Sequence, residues 1–247
     1  MSRKTQRNQS NPQREDSQPP VAPEASGSRS REILTWSVVV VLLVVAAWML
    51  LFNSKATQPS QPAMTSNAAA LASEHSPMLG TANAKVHIVE FLDPACETCA
   101  MFFPVVKQMM ADNPDRIRLS IRHVPFHQGS EYVVRLLEAS RKQDMYWQTL
   151  EALLASQAQW APHHTVEPDR VWPAIAGVGL NTDQLMADMN APDVEQRMQR
   201  DIDDARALKV TATPEYFVNG RPLPSFGLQQ LQDLVTEALR SSAAPSN

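Results

Sequence analysis

The only two cysteines among 247 residues, Cys96 and Cys99, stand three positions apart in "DPACETCAMFF". Thiols this close can form a structural crosslink, half of a metal site, or a redox couple. The crosslink gains least, because a disulfide stabilises mainly by closing a long loop and this one closes four residues. For a metal, His123 and His127 form an H-x3-H pair downstream, and tetrahedral zinc accepts two Cys with two His. However, 23 residues separate Cys99 from His123, against about 12 in a small finger, and Pro125 lies between the histidines. Both histidines read more simply as surface or loop residues, so no metal ligand is assigned, although two thiolates alone could hold copper(I). The redox couple fits best. It places Cys96 at a helix N-terminus, where unpaired N–H groups and the helix dipole favour thiolate. Cys96 is then expected to be the exposed nucleophile, and Cys99, one turn in, the more buried resolving thiol. Exchange through a mixed disulfide needs that asymmetry.

The elements that must position this pair follow from hydrophobic periodicity. "VHIVEFL" (86–92) reads as a strand buried on both faces. "ETCAMFFPVVKQMMADN" reads as a helix with apolar rows Met101, Val105, Met109 and Phe102, Val106, Met110, kinked at Pro104. "RIRLSIRHV" (116–124) alternates and reads as a second strand, which completes a β-α-β unit. Residues 129–208 are helical runs separated by Gly, Pro and Asn. The end returns to β at "EYFVNGRPLP", a hairpin with an Asn-Gly turn, before a last amphipathic helix, "LQQLQDLVTEALR".

The rest of the chain differs in composition. Residues 1–32 are rich in Arg, Gln, Ser and Pro and read as a disordered cytoplasmic tail. "ILTWSVVVVLLVVAAWMLLF" (33–52) is twenty residues without a charge, long enough to span about 30 Å of hydrocarbon. It is too long, and too bulky at its end, for a cleaved signal peptide. Arg29 and Arg31 precede it and only Lys55 follows closely, so the N-terminus is expected inside and the remainder outside the cytoplasm, in the periplasm of a Gram-negative cell. Residues 53–77 suit a flexible tether, and 78–247 form one domain of ordinary size. A net charge of −4 with no basic stripe argues against nucleic acid as a partner.

The Cys-x-x-Cys after "VEFLDPA", the helical insertion at about 127–208 and the distant "VTATPEYFVNGRPL" together resemble the DsbA-like group of thiol–disulfide oxidoreductases over about residues 78–240. The resemblance implies an α/β thioredoxin fold with an all-helical insertion, here preceded by a single transmembrane helix. It implies no organic cofactor, exported protein thiols or disulfides as substrates, and a membrane or exported protein as redox partner. Pro214 stands where the family has a cis proline opposite the cysteines, with Thr213 before it presenting backbone groups to an extended substrate. Glu90 stands where the family has a buried acid below the resolving cysteine. Burial would raise its pKa and make it a proton acceptor for Cys99, unless it is a solvated carboxylate at a strand edge. Pro104 matches a kinking proline of the fold. Ala212 departs from the usual Gly of "GTP". Glu97 and Thr98 replace the Pro-His of the strongly oxidising prototype, which removes a positive charge and adds a negative one beside the thiolate. A milder oxidant, a reductase or an isomerase is therefore expected. Phe126, Tyr132, Trp147 and Trp160 are candidates to line a substrate groove, although for any one of them plain core packing is the simpler reading, and His163 and His164 fall in a loop between helices. A metal chaperone using the two thiolates, or a non-catalytic peptide-binding module, are the competing classes.

Overall fold

The computed structural model describes residues 70–71 and 74–242. The expected tail (1–32) and membrane span (33–52) lie outside these residues, as does most of the tether. Among the described residues no helix is long and apolar enough to cross a membrane.

A mixed five-stranded sheet organises the domain, in the order β1-β3-β2-β4-β5. The strands are β1 (Met78–Leu79), β2 (Val86–Leu92), β3 (Ile117–His123), β4 (Glu215–Val218) and β5 (Arg221–Pro222). Helix α1 (Glu97–Asp112) links β2 to β3, which pair in parallel, while β4 runs antiparallel to β2 on its other side. Between β3 and β4 the insertion carries α2 (Ser130–Ser140), α3 (Tyr146–Ala155), α4 (Gln157–Trp160), α5 (Pro168–Ile175), α6 (Thr182–Asp188) and α7 (Pro192–Ala207). A helix α8 (Leu228–Ser241) follows β5. The β4–β5 turn takes left-handed backbone at Asn219 (φ 49°) and Gly220 (φ 81°), as the Asn-Gly pair predicts.

Strand periodicity decides which side chains meet. Val86, Ile88 and Leu92 face the larger core with Cys99, Phe102 and Val106 of α1, whereas Val89 and Phe91 face a second core with Val124, Ala205 and Phe217. Glu90 falls in register with the first set. Along α1 the buried positions are Cys99, Phe102, Phe103 and Val106, so Met101, 63% exposed, does not belong to the core row expected of it. The helix continues through Pro104.

The alternation of β3 marks its two faces correctly, but both are covered. Arg122 is fully buried: its Nε donates to Asp201 at 2.5 Å, a second nitrogen bonds Asp204, and a third donates to the Ala70 carbonyl at 2.6 Å. Its guanidinium also lies over the Phe91 ring. Asp201 further accepts from the His123 amide and bonds His75. Ala70, Leu71 and Ser76 are buried, so this end of the expected tether is packed onto the domain. β1, the first two residues of the expected domain, was not legible as a strand because two residues carry no periodicity.

Removing one partner of a buried ion pair leaves an uncompensated charge. Asp201→Ala is therefore expected to lower unfolding free energy by about 3–5 kcal/mol, measured by denaturant titration.

Candidate active site

Cys96 occupies the N-cap of α1 with extended backbone (φ −79°, ψ 115°), so the chain turns from β2 into the helix at the first thiol. Both cysteines are free thiols. Cys99 is fully buried, and Cys96 is 4% exposed, so the expected order of burial holds but Cys96 is not an exposed thiol. The loop before β4 meets the thiol. Its Thr213–Pro214 peptide is cis, and the Cys96 thiol donates to the Thr213 carbonyl at 3.2 Å. Ala212 needs no glycine-like freedom, since it is not among the residues with positive φ.

No capping hydrogen bond reaches the Cys96 side chain as a thiol. Its ionised form is nevertheless favoured by the Cys99 thiol first, then by the Thr213 hydroxyl and the N–H groups of Cys99 and Thr98. These outweigh burial and bring Cys96 down to about 5. Cys99 moves the opposite way, pushed well above the usual thiol value by burial, by its bond to Cys96 and by Glu90. Glu97 and Thr98 lie between them, Glu97 exposed and Thr98 half-buried. Water screens the Glu97 charge, so its repulsion of the thiolate is weaker than its adjacency suggests.

Glu90 is fully buried on central strand β2, which excludes the solvated strand-edge alternative. Tyr216 sits opposite it across the β2–β4 ladder. Neither Glu90 oxygen nor the Tyr216 hydroxyl has a hydrogen bond of normal geometry. Burial first, then the charge of Cys96, raises the Glu90 carboxyl to about 8, although the nearby Tyr216 hydroxyl opposes the shift.

Several residues of the site carry no sequence signal that singled them out. Asp93, fully buried at the end of β2, accepts from Ala95 N and Ser130 Oγ through one oxygen. Its other oxygen accepts from the amides of Phe126 and His127 and bonds His127 Nδ1 at 2.7 Å. Gln157 Nε2 donates to the carbonyls of Pro94 (2.7 Å) and Cys96 (2.9 Å). His164 Nδ1 bonds the Ala95 carbonyl at 3.2 Å, and its ring stacks on His127 with centroids 4.7 Å apart. An aspartate between an apolar strand and Pro-Ala-Cys was the one detectable hint. Gln157 and His164 are distant in sequence and unremarkable in composition.

One further expectation needs correction. His123 is not a surface residue: it is fully buried and its Nε2 pairs with the Tyr146 hydroxyl at 2.8 Å. His127 lies in a loop and His164 in a turn between helices, as expected, and both support the active-site loop. Trp160 is fully buried, with its indole N–H on the Leu153 carbonyl, and so belongs to the core. A groove of about 450 Å³ does lie between α1 and α3, but Ala100, Phe103, Pro104, Lys107, Glu151 and Leu154 line it. None of the four aromatic candidates is among its lining residues, although Phe126 is half exposed elsewhere.

A family model described as Thioredoxin matches residues 72–237. A Na(+)/H(+) antiporter NhaA from Herminiimonas arsenicoxydans is 31% identical over 144 residues, which is 58% of this chain and 22% of the antiporter. The chain thus spans less than a quarter of that relative's length. Disulfide bond formation protein D of Bacillus subtilis is 25% identical over 178 residues, or 66% of this chain and 77% of that protein. A solved thioredoxin-like oxidoreductase from Silicibacter pomeroyi DSS-3 is similar at a TM-score of 0.61 and 28% identity, covering 76% of this chain and 100% of that one. With the cysteines at the start of α1, the cis proline before β4 and a helical insertion between the two halves, this chain belongs to the thioredoxin family.

Proposed function

We propose that the domain exchanges thiols and disulfides with exported protein chains through Cys96 and Cys99, as an oxidant milder than the prototype of its group. The observation that supports this best is the opposite treatment of two thiols one helical turn apart. Cys96 is brought to about 5, while Cys99 is held well above the usual thiol value beside a buried carboxyl. A low-pKa first thiol leaves readily from a mixed disulfide, and a high-pKa second thiol needs a proton partner to act.

In the oxidising direction a substrate thiolate attacks Cys96 Sγ of the domain's disulfide. The substrate–Cys96 bond forms, the Cys96–Cys99 bond breaks, and Cys99 leaves as a thiolate that takes the Glu90 proton. A second substrate thiolate attacks the substrate sulfur of the mixed disulfide, and Cys96 leaves as a stabilised thiolate. The substrate has lost two electrons. A membrane or exported thiol protein accepts them from the dithiol and restores the disulfide. Thr213 and Pro214 hold the substrate by strand addition, with the Thr213 carbonyl exchanging the Cys96 thiol for a substrate N–H. In the reverse direction Glu90 accepts the Cys99 proton.

A Cys96 value of about 5 lies between the roughly 3.5 of a strong periplasmic oxidant and the roughly 7 of a cytosolic reductant. That range is what replacement of a positively charged dipeptide by Glu97-Thr98 should produce. The uncharged run at 33–52 supports a membrane anchor, with 1–32 inside and the catalytic domain outside.

Titration of the thiolate by ultraviolet absorbance is expected to show one midpoint near 5, absent in Cys96→Ser, which also loses all exchange activity. A midpoint near about 3.5 would overturn the milder-oxidant reading. Glu90 sets a second pH dependence. Its carboxyl stays neutral in the fold up to about 8 but ionises near 4.5 when unfolded. Stability from this group is full below the lower value and is lost as pH rises through the upper one, by on the order of 5 kcal/mol. Glu90→Gln should therefore match the wild-type melting temperature below pH about 4.5, pull ahead of it as pH rises, and hold its full advantage above pH about 8. The same change should slow the step at Cys99 by roughly 10–100-fold in stopped-flow exchange. Equal pH slopes in the two proteins would mean that Glu90 is ionised in the fold.

A further inference from the structure

We infer that Gln157 is a positioning residue for the nucleophile: its amide holds the Pro94 and Cys96 carbonyls toward the insertion and so fixes how the Cys96 sulfur meets its donors. This rests on Cys96 being the attacking thiol.

The loop from β2 to α1 presents three successive carbonyls, and a side chain of the insertion bonds each one. Gln157 takes Pro94 and Cys96, and His164 takes Ala95. Gln157 is 5% exposed, so water has little room to replace it. A side-chain amide has two N–H bonds, and the two carbonyls account for both. The Cys96 carbonyl also accepts the Ala100 amide at 3.2 Å, the first hydrogen bond of α1. Gln157 therefore bonds the same oxygen that starts the helix and holds the 94–95 and 96–97 peptides, while His164 holds the 95–96 peptide between them.

The sulfur is directed elsewhere, to the Thr213 carbonyl. Its ionised form depends on small fixed dipoles, the N–H groups of Thr98 and Cys99 and two side-chain donors. Dipoles stabilise a charge only while aimed at it, and in a site shut from water none can be replaced by solvent. A shift of the Cys96 carbonyl would move the sulfur of the same residue relative to those N–H groups. Gln157 comes from α4, a helix of four residues inside the insertion. The insertion thus takes part in setting the redox couple through one amide, apart from any role in covering it. His164 supports the same loop from a turn in which two adjacent residues, His163 (φ 51°) and His164 (φ 60°), both take left-handed backbone.

Three variants of the full chain test this. Gln157→Met keeps length and removes both donors, and Gln157→Glu replaces donors with acceptors. Trp160→Phe, on the same short helix, removes the bond to the Leu153 carbonyl and leaves residues 94–96 untouched. Each is measured for melting temperature, for the thiolate titration of Cys96, and for its equilibrium with glutathione. Both Gln157 variants should raise the Cys96 midpoint by about one pH unit and shift the glutathione equilibrium about tenfold toward the domain's disulfide, since a less stabilised thiolate makes a weaker oxidant. Trp160→Phe should lower the melting temperature and move neither redox readout. Gln157→Met buries no charge and decides the matter if Gln157→Glu fails to fold. A lower melting temperature in Gln157→Met with unchanged titration and equilibrium would overturn the inference, as would an equal shift in Trp160→Phe. A wild-type protein with no low-pKa thiol and no exchange with glutathione would instead overturn the functional reading on which the inference stands.

Discussion

A carboxylate cut off from water must receive from the protein every hydrogen bond that water supplied. Asp93 meets that demand with five donors: the amides of Ala95, Phe126 and His127, the Ser130 hydroxyl and the His127 ring. Those donors come from two parts of the chain. One starts the turn that delivers Cys96, and the others belong to the first residues of the insertion. Satisfying a single buried side chain therefore locks the end of β2 to the place where the insertion begins. With that lock in place, Gln157 and His164 can reach the carbonyls that follow.

Glu90, three residues earlier and on β2 itself, is treated in the opposite way. It is equally buried, yet neither oxygen has a hydrogen-bond partner of normal geometry. Burial without donors favours the neutral acid, whereas burial with donors favours a rigid support. The same rule separates the two thiols. Cys96 meets donors at the start of α1, and Cys99, one turn further in, meets mainly apolar surroundings and the Glu90 carboxyl. Local access to fixed N–H groups, and not residue type, divides support from chemistry here.

Arg122 shows the same economy on the other face of the sheet, where it pairs with Asp201 and Asp204 of α7 and bonds the Ala70 carbonyl. Read along β3, Arg118, Ser120 and Arg122 alternate with Ile117, Leu119 and Ile121, as on a strand with one wet face. Alternation reports that a strand has two chemically different faces. It cannot report that a helix about eighty residues later brings carboxylates to the polar one. His123 was misplaced for the same reason. A histidine at a strand end or a tryptophan in a short helix is buried or exposed according to what packs on it.

The sequence alone determined what depends on neighbours in the chain. This covers the central strand from its apolar run, the thiol pair at the start of a helix, the hairpin from Asn219-Gly220, and the helical character of 129–208. Resemblance to a family added the cis bond at Pro214 and a buried acid at Glu90, both present in the structure. What only the tertiary structure decided are the contacts between residues far apart: Asp93 with Ser130 across 37 positions, Cys96 with Gln157 across 61, and Arg122 with Asp201 across 79. Periodicity and local propensity act over a few residues, while a buried polar group is satisfied by whichever donor the fold brings to it. The sequence therefore shows where the chemistry is, and the environment that tunes it exists only once the insertion has folded against the sheet.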